Sequence, residues 1–365
     1  MGEWTTATAV TALAQLPGVG PVRLDQLLRA GDPIVMVDRL ARGGAPPSSV
    51  GAVDEAGSWG SVLAAVEPAA LAARLADLDI TVTTGGERGH PARLRDDLDP
   101  SPVLFRRGRP VDEAAPMVAI VGTRRCSAIG REVARELGFG LAAAGVVVVS
   151  GLALGVDGAA HAGALAAAGA PPLAFVGGGP DVVYPSRHGD LWAQVVSAGT
   201  LASEAPPGAA PSRWRFPARN RLIAAMADVV VVVESRSAGG SLLTVDEAIR
   251  RDRTVMAVPG SVRNPAAAGT NELLADGCAP VLGVDDILLA LGLSSTPTPA
   301  GPMGGAPGPV PAHLRMVFDA VDDGPTSVDQ ITVRSARPVL EVVTAIAELV
   351  AGGFVVDDGA RVRRA

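Results

Sequence analysis

The chain has 365 residues, room for two or three domains at roughly 100 to 200 residues each. Its formal net charge is -7, so a polyanion must be held by a local cluster of basic groups rather than by the charge of the whole. All 31 basic residues are arginine, which excludes a P-loop lysine, a Schiff-base lysine and every lysine nucleophile.

The two cysteines and four histidines supply neither a disulfide framework nor a four-thiolate zinc site, so a reduced, cytoplasmic protein without cofactor or metal is expected. The start of the chain carries Glu3 and does not read as a secretory signal. From Thr6 to about Ala76 the pattern is one of short helices, with LPGVGP between apolar stretches at Val10 to Leu16 and Val22 to Leu28. This predicts a helix-hairpin-helix, SAM-like domain over 1–78. Arg23 and Arg29 are the nearby bases, few for a phosphate-binding hairpin, and a structural or partner-binding role fits equally well.

From Met117 to Leu291 strand and helix signals alternate as in a parallel sheet with crossover helices, giving an α/β domain over 79–293. The predicted strands are 117–122, 146–150, 172–177, 200–204, 228–234, 254–259 and 279–283, most of them unbroken apolar runs of the kind buried on both faces. Helices are expected at Arg131 to Ala144 and Asp157 to Ala168. The uncharged run Leu137 to Val156 has the length of a membrane span, but its glycines break it and VVVVS reads as a strand, so no membrane association is expected. Between Ser294 and Pro311 ten residues are Pro or Gly and none is charged, which marks a linker over 294–311. The remaining 312–365 predicts a winged helix, whose second helix, Pro338 to Val350, is apolar with Glu341 and Glu348 and better suited to protein contact than to reading a DNA groove.

In a sheet of this kind ligands sit beyond the carboxyl ends of the strands. The first strand ends in Gly122, Thr123 and Arg124, the second in a loop containing Gly151 and Gly155, and the fifth in ESRSAGGS with Gly239, Gly240 and Ser241. Each offers amides or hydroxyls at a helix start, suited to an anion or to a plain tight turn. After the third strand, GGGPDVVYP carries Tyr184, the chain's one tyrosine, able to stack on a base or to cap the core. No acid occurs between Glu204 and Asp228, where Arg213, Arg215, Arg219 and Arg221 interleave with Trp214 and Phe216. Guanidiniums beside rings suit single-stranded nucleic acid, whose backbone they hold while the rings stack on bases.

The ordered blocks VGTR, SGLALGVDGAAH, GGGPDVVYP, SEAPPG, FPARNRLIA, GGSLLTVDEA, AVPG and GTNELLADG, covering most of Ala119 to Gly277, resemble the bacterial DNA-processing protein A family, DprA or Smf. The resemblance implies an extended Rossmann-like domain that binds single-stranded DNA, protects the incoming strand and loads RecA recombinase onto it in natural transformation, without catalysis. It implies a homodimer through the sheet domain, and DNA contacts from Arg124, Arg213 and Phe216. Arg219, Asn220 and Arg221 either touch DNA or brace their loop. An alternative is a nucleotide-binding enzyme of the phosphoribohydrolase type, because GGSLLTVDEA also resembles a block of those enzymes, with Glu247 as the acting carboxylate.

Overall fold

A computed structural model describes residues 3–51, 56–293, 310–321, 326–351, 354–357 and 362–364. The chain forms two compact units that divide between Ser294 and Ser295. The linker expected over 294–311 falls almost wholly outside the described residues.

The first unit opens with five helices, α1 (Thr6–Ala14), α2 (Pro21–Arg29), α3 (Pro33–Ala41), α4 (Ala56–Ala64) and α5 (Pro68–Asp77). Their starts are written in local chemistry. Thr5 and Thr8 form a reciprocal capping box on α1, Pro21 occupies the first turn of α2, and the Asp32 carboxylate accepts from the Ile34 and Val35 amides at 2.8 and 3.1 Å. Leu13, Leu24, Leu27, Leu40, Trp59 and Leu63 are fully or almost fully buried between these helices. The Trp59 indole donates to Pro17 O at 2.9 Å and so pins the LPGVGP loop. Phe105 and Val103 join the same cluster, which seats the helices on one end of the sheet.

That sheet contains β1 (Thr81–Thr84), β2 (Val103–Gly108), β3 (Met117–Val121), β4 (Val147–Ser150), β5 (Leu173–Phe175), β6 (Thr200–Ser203), β7 (Val229–Val232), β8 (Thr254–Ala257) and β9 (Ala279–Pro280), in the order β1-β2-β6-β5-β4-β3-β7-β8-β9. From β6 to β9 every neighbouring pair is parallel. The sheet is not parallel throughout, as the sequence reading had it: β1 and β2 extend the β6 edge in antiparallel fashion. TVTT is short and polar and β2 ends in two arginines, so neither carries the apolar run that marks the other strands. A short helix, α6 (Ala92–Arg95), lies between them.

The central strands are covered on both faces, and side-chain alternation assigns them. Val118 and Ile120 face α7 (Ala128–Ala143), α8 (Val156–Ala166) and α13 (Val284–Ala290), whereas Met117, Ala119 and Val121 face α10 (Arg215–Met226) and α11 (Leu242–Arg250). The remaining helices of this unit are α9 (Gly189–Ala198) and α12 (Ala268–Ala275). The uncharged run from 137 to 156 is thus the end of α7, a turn at Gly145 with φ 80° and the buried β4. Among the described residues no helix is long and apolar enough to cross a membrane.

The second unit has α14 (Arg315–Asp319), α15 (Val328–Ser335) and α16 (Val339–Ala351) with an antiparallel pair, β10 (Val355–Asp357) and β11 (Val362–Arg364). Ser327 and Gln330 form a capping box on α15. Val321, Ile331, Val342, Leu349 and Val362 make a separate core. Glu341 pairs with Arg337 and Glu348 with His313, while Leu340 and Val343 of α16 are exposed. The hairpin turn at 358–361 lies outside the described residues.

Candidate nucleic-acid interface

Chain order runs from β3 outward to β6 on one side and from β7 to β9 on the other, so the order reverses between β3 and β7. Helices leave these two strand ends in different directions and open a crevice at the switch point. A cleft of about 440 Å³ lies there, lined by the residues after β3 (Gly122, Thr123, Arg124, Arg125), by Phe216, Arg219 and Asn220 of α10, and by Arg236, Gly239, Gly240 and Ser241 after β7.

The β3 end can lie this close because Gly122 has no side chain. A Cβ there would stand 2.6 Å from Val156 Cγ2 and 2.8 Å from Glu234 O. The Thr123 amide instead donates to Glu234 O at 2.7 Å. The Glu234 carboxylate accepts from the Ser127 amide (2.8 Å), the Ser127 hydroxyl (2.7 Å) and Asn264 Nδ2 (3.1 Å), and so ties the β7 end to the start of α7. On the opposite lip Ser241 Oγ donates to Ser235 Oγ at 2.9 Å, and the Gly240 and Ser241 amides donate to no described acceptor at the start of α11. Free amides at a helix start form a ready anion seat.

An aromatic niche adjoins the cleft, lined by Gly151, Gly177, Tyr184 and Phe216 and sharing Arg124 with it. The Tyr184 and Phe216 ring centroids are 5.6 Å apart and tilted by 38°, and the Arg124 guanidinium lies 4.7 Å from the Phe216 centroid. Tyr184 is 44% exposed, which makes it an available platform rather than a core cap. Gly177 admits the Phe216 ring, whose Cδ1 is 3.1 Å from where a Cβ would be.

The arginines of the FPARNR block divide by role. Arg219 is buried, donating to Gly151 O at 2.8 Å and to Phe175 O, with its guanidinium filling the space a side chain on Gly151 would take. Burial pulls its pKa down to about 10, so it stays charged at neutral pH, and its nearby charge opposes the rise that burial imposes on the Asp157 carboxyl. Arg221 points elsewhere, to Asp99 O (2.7 Å) and Glu204 Oε1 (2.5 Å), and does not line the cleft. The reason is helical geometry: two residues apart on α10, Arg219 and Arg221 cannot share a face. Both guanidiniums are thus held by acceptors within the protein, Arg219 at the cleft it lines and Arg221 away from it. Asn220 lines the cleft and donates weakly to Gly240 O at 3.5 Å. Arg213 is exposed ahead of α10, outside the lining of the cleft and of the niche.

Sequence reasoning missed Arg125 and Arg236, both exposed on the cleft wall, and the buried Asp157 beneath it. Arg125 and Arg236 each lie four residues past a strand end, and that position was the available signal. Glu247, the carboxylate of the enzyme alternative, does not line the cleft; it is held by Arg250 and Arg251 in a network with Asp97 and Asp99.

A family model described as DNA recombination-mediator protein A matches residues 81–292. A DprA of Mycobacterium tuberculosis (strain H37Rv) is 40% identical over 247 residues, covering 67% of this chain and 63% of that protein. Protein Smf of Escherichia coli is 34% identical over 271 residues, 73% of this chain and 72% of its own length. Among solved structures, DNA processing protein A from Streptococcus pneumoniae superposes with a TM-score of 0.66 and 28% identity, covering 78% of this chain and 98% of that one. DNA processing protein A from Helicobacter pylori, described for its single-stranded DNA binding mode, gives 0.53 and 28% over 59% of this chain and 97% of that one. With more than half of its length matched by the family model, the chain belongs to the DNA recombination-mediator protein A family.

Proposed function

We propose that this protein binds single-stranded DNA in the cleft between the β3 and β7 ends and serves as a recombination mediator. The observation that carries the reading is the Tyr184–Phe216 pair capped by Arg124, set beside unpaired amides at Gly240 and Ser241. Rings accept any base by stacking, while arginines and amides take the phosphates, so the site has the makings of sequence-independent binding. The Helicobacter pylori relative, described for single-stranded DNA binding, supports the same assignment. Protection of the strand, its hand-over to RecA in transformation, a homodimer through the sheet domain, a winged-helix role for the second unit and a cytoplasmic site of action complete the proposal.

The test is fluorescence anisotropy of labelled oligothymidine across a salt series, with wild type, an Arg124→Ala, Arg213→Ala variant and Phe216→Ala. Wild type is expected to show a log–log salt slope of about -0.7 per phosphate neutralised, reduced in the arginine variant. Phe216→Ala is expected to weaken binding by roughly 5- to 150-fold, the equivalent of one lost stack at about 1 to 3 kcal/mol. Wild-type binding indifferent to all three substitutions would place the site elsewhere. Free adenine released from adenosine monophosphate would instead favour the enzyme alternative.

A further inference from the structure

Arg124 borders a third depression besides the cleft and the niche. This groove, of about 710 Å³, runs between α7, α8 and the segment leading into α9, and its wall carries Arg131, Arg135 and Arg187. Arg131 and Arg135 are one turn apart on α7 and so share a face, an arrangement that by itself destabilises a helix. The side chain of none of the three has an ion pair or hydrogen bond to a described residue. Arginines on the other side of the sheet are treated differently: Arg93 is paired with Asp228, Arg221 with Glu204 and Arg251 with Asp97. One carboxylate, Asp190, lies on the groove wall.

Small residues of α8, Gly158, Ala159 and Ala162, line the groove beside His188, whose ring packs over Gly158 with Cε1 2.5 Å from where a Cβ would be. No phenylalanine, tyrosine or tryptophan lines it. Its one ring, His188, is engaged with Leu152 O at 3.0 Å and packed over Gly158, so the groove offers mainly charge, the complement of a sugar–phosphate backbone rather than of bases.

We propose that the groove between α7, α8 and α9 is the path by which a DNA strand leaves the cleft, its phosphates passing Arg124 and then Arg131, Arg135 and Arg187. The proposal rests on the single-strand reading of the cleft. It predicts that strand length matters: nucleotides beyond those seated on the rings add affinity through charge alone.

The experiment compares oligothymidines of about 4 and about 16 nucleotides, the span of site sizes common in single-strand-binding folds, by anisotropy across a salt series. It uses the full chain as wild type, as Arg131→Gln, Arg135→Gln, Arg187→Gln, and as a control of equal charge change at exposed arginines outside the groove, Arg39→Gln, Arg88→Gln, Arg263→Gln. For the longer strand the groove variant is expected to lose about 2 from the magnitude of the salt slope, three contacts at about 0.7 each, while the control keeps it. For the short strand the groove variant and wild type are expected to bind alike. An unchanged slope on the longer strand, an equal loss in the control, or an equal loss on the short strand each overturns the exit path while leaving the cleft as the binding site. Failure of wild type to bind either length overturns the cleft reading and the exit path with it.

Discussion

Arg124 and Arg219 stand on the same cleft in different surroundings. Arg124 is exposed over a ring, so Arg124→Ala is expected to change stability by less than about 0.5 kcal/mol while weakening strand binding. Arg219 satisfies two carbonyls and faces the buried Asp157, so Arg219→Ala leaves a carboxyl and two acceptors uncompensated and is expected to cost about 3 to 5 kcal/mol in urea denaturation. Comparing the urea midpoints and the anisotropy of these two variants separates bracing from contact. His161 is fully buried at the base of the same region, and burial lowers its pKa from 6.5 to about 3 although the Ser150 backbone opposes the shift. Between those values the unfolded chain binds a proton that the folded chain refuses, so stability falls as pH drops below 6.5 and the loss is complete near 3. From pH 7 to pH 5 this residue alone is expected to remove about 2 kcal/mol, and a His161→Leu variant followed by urea denaturation at both values lacks that increment.

At the scale of elements, α10 joins the site to the core. Its first turn carries Phe216 to Tyr184, and its last five residues, Leu222 to Met226, are buried under β3 and β7. The FPARNR block was legible in sequence as basic and aromatic, and its place in the cleft follows from its position after β6. The split of Arg219 from Arg221 was not legible, because it depends on which partner each meets: Gly151 and Phe175 from the neighbouring strand ends for one, Asp99 and Glu204 for the other. The turn after β3 shows the same dependence. Gly122 reads as an ordinary loop glycine until Val156 and Glu234 are brought against it, and Gly122→Ala is then expected to cost about 1 to 3 kcal/mol, read from the urea midpoint.

At the scale of the molecule, a net charge of -7 coexists with a site bordered by arginines that lack carboxylate partners. Acids elsewhere are spent on paired arginines such as Arg93 and Arg251, so the average charge conceals the local one. Every residue of the cleft, niche and groove belongs to the first unit, which has its own cores. A chain ended at Ser294 is therefore expected to fold cooperatively and to bind oligothymidine as tightly as the full chain, which calorimetry and anisotropy together check. Loss of binding on truncation would give the second unit a direct part in holding the strand.

The sequence by itself determined the α/β class, the parallel centre of the sheet from β3 onward and the strand-end loops that line the candidate site. It could do so because buried strands, capped helices and glycine turns are local patterns in hydrophobicity and backbone freedom. Only the tertiary structure decided the antiparallel edge at β1 and β2, the seating of Tyr184 against Phe216, the burial of Arg219 and the alignment of Arg131, Arg135 and Arg187 along one groove. An arginine has the same local signature whether it meets a carboxylate, a carbonyl or open solvent, and its neighbours here come from segments tens of residues away.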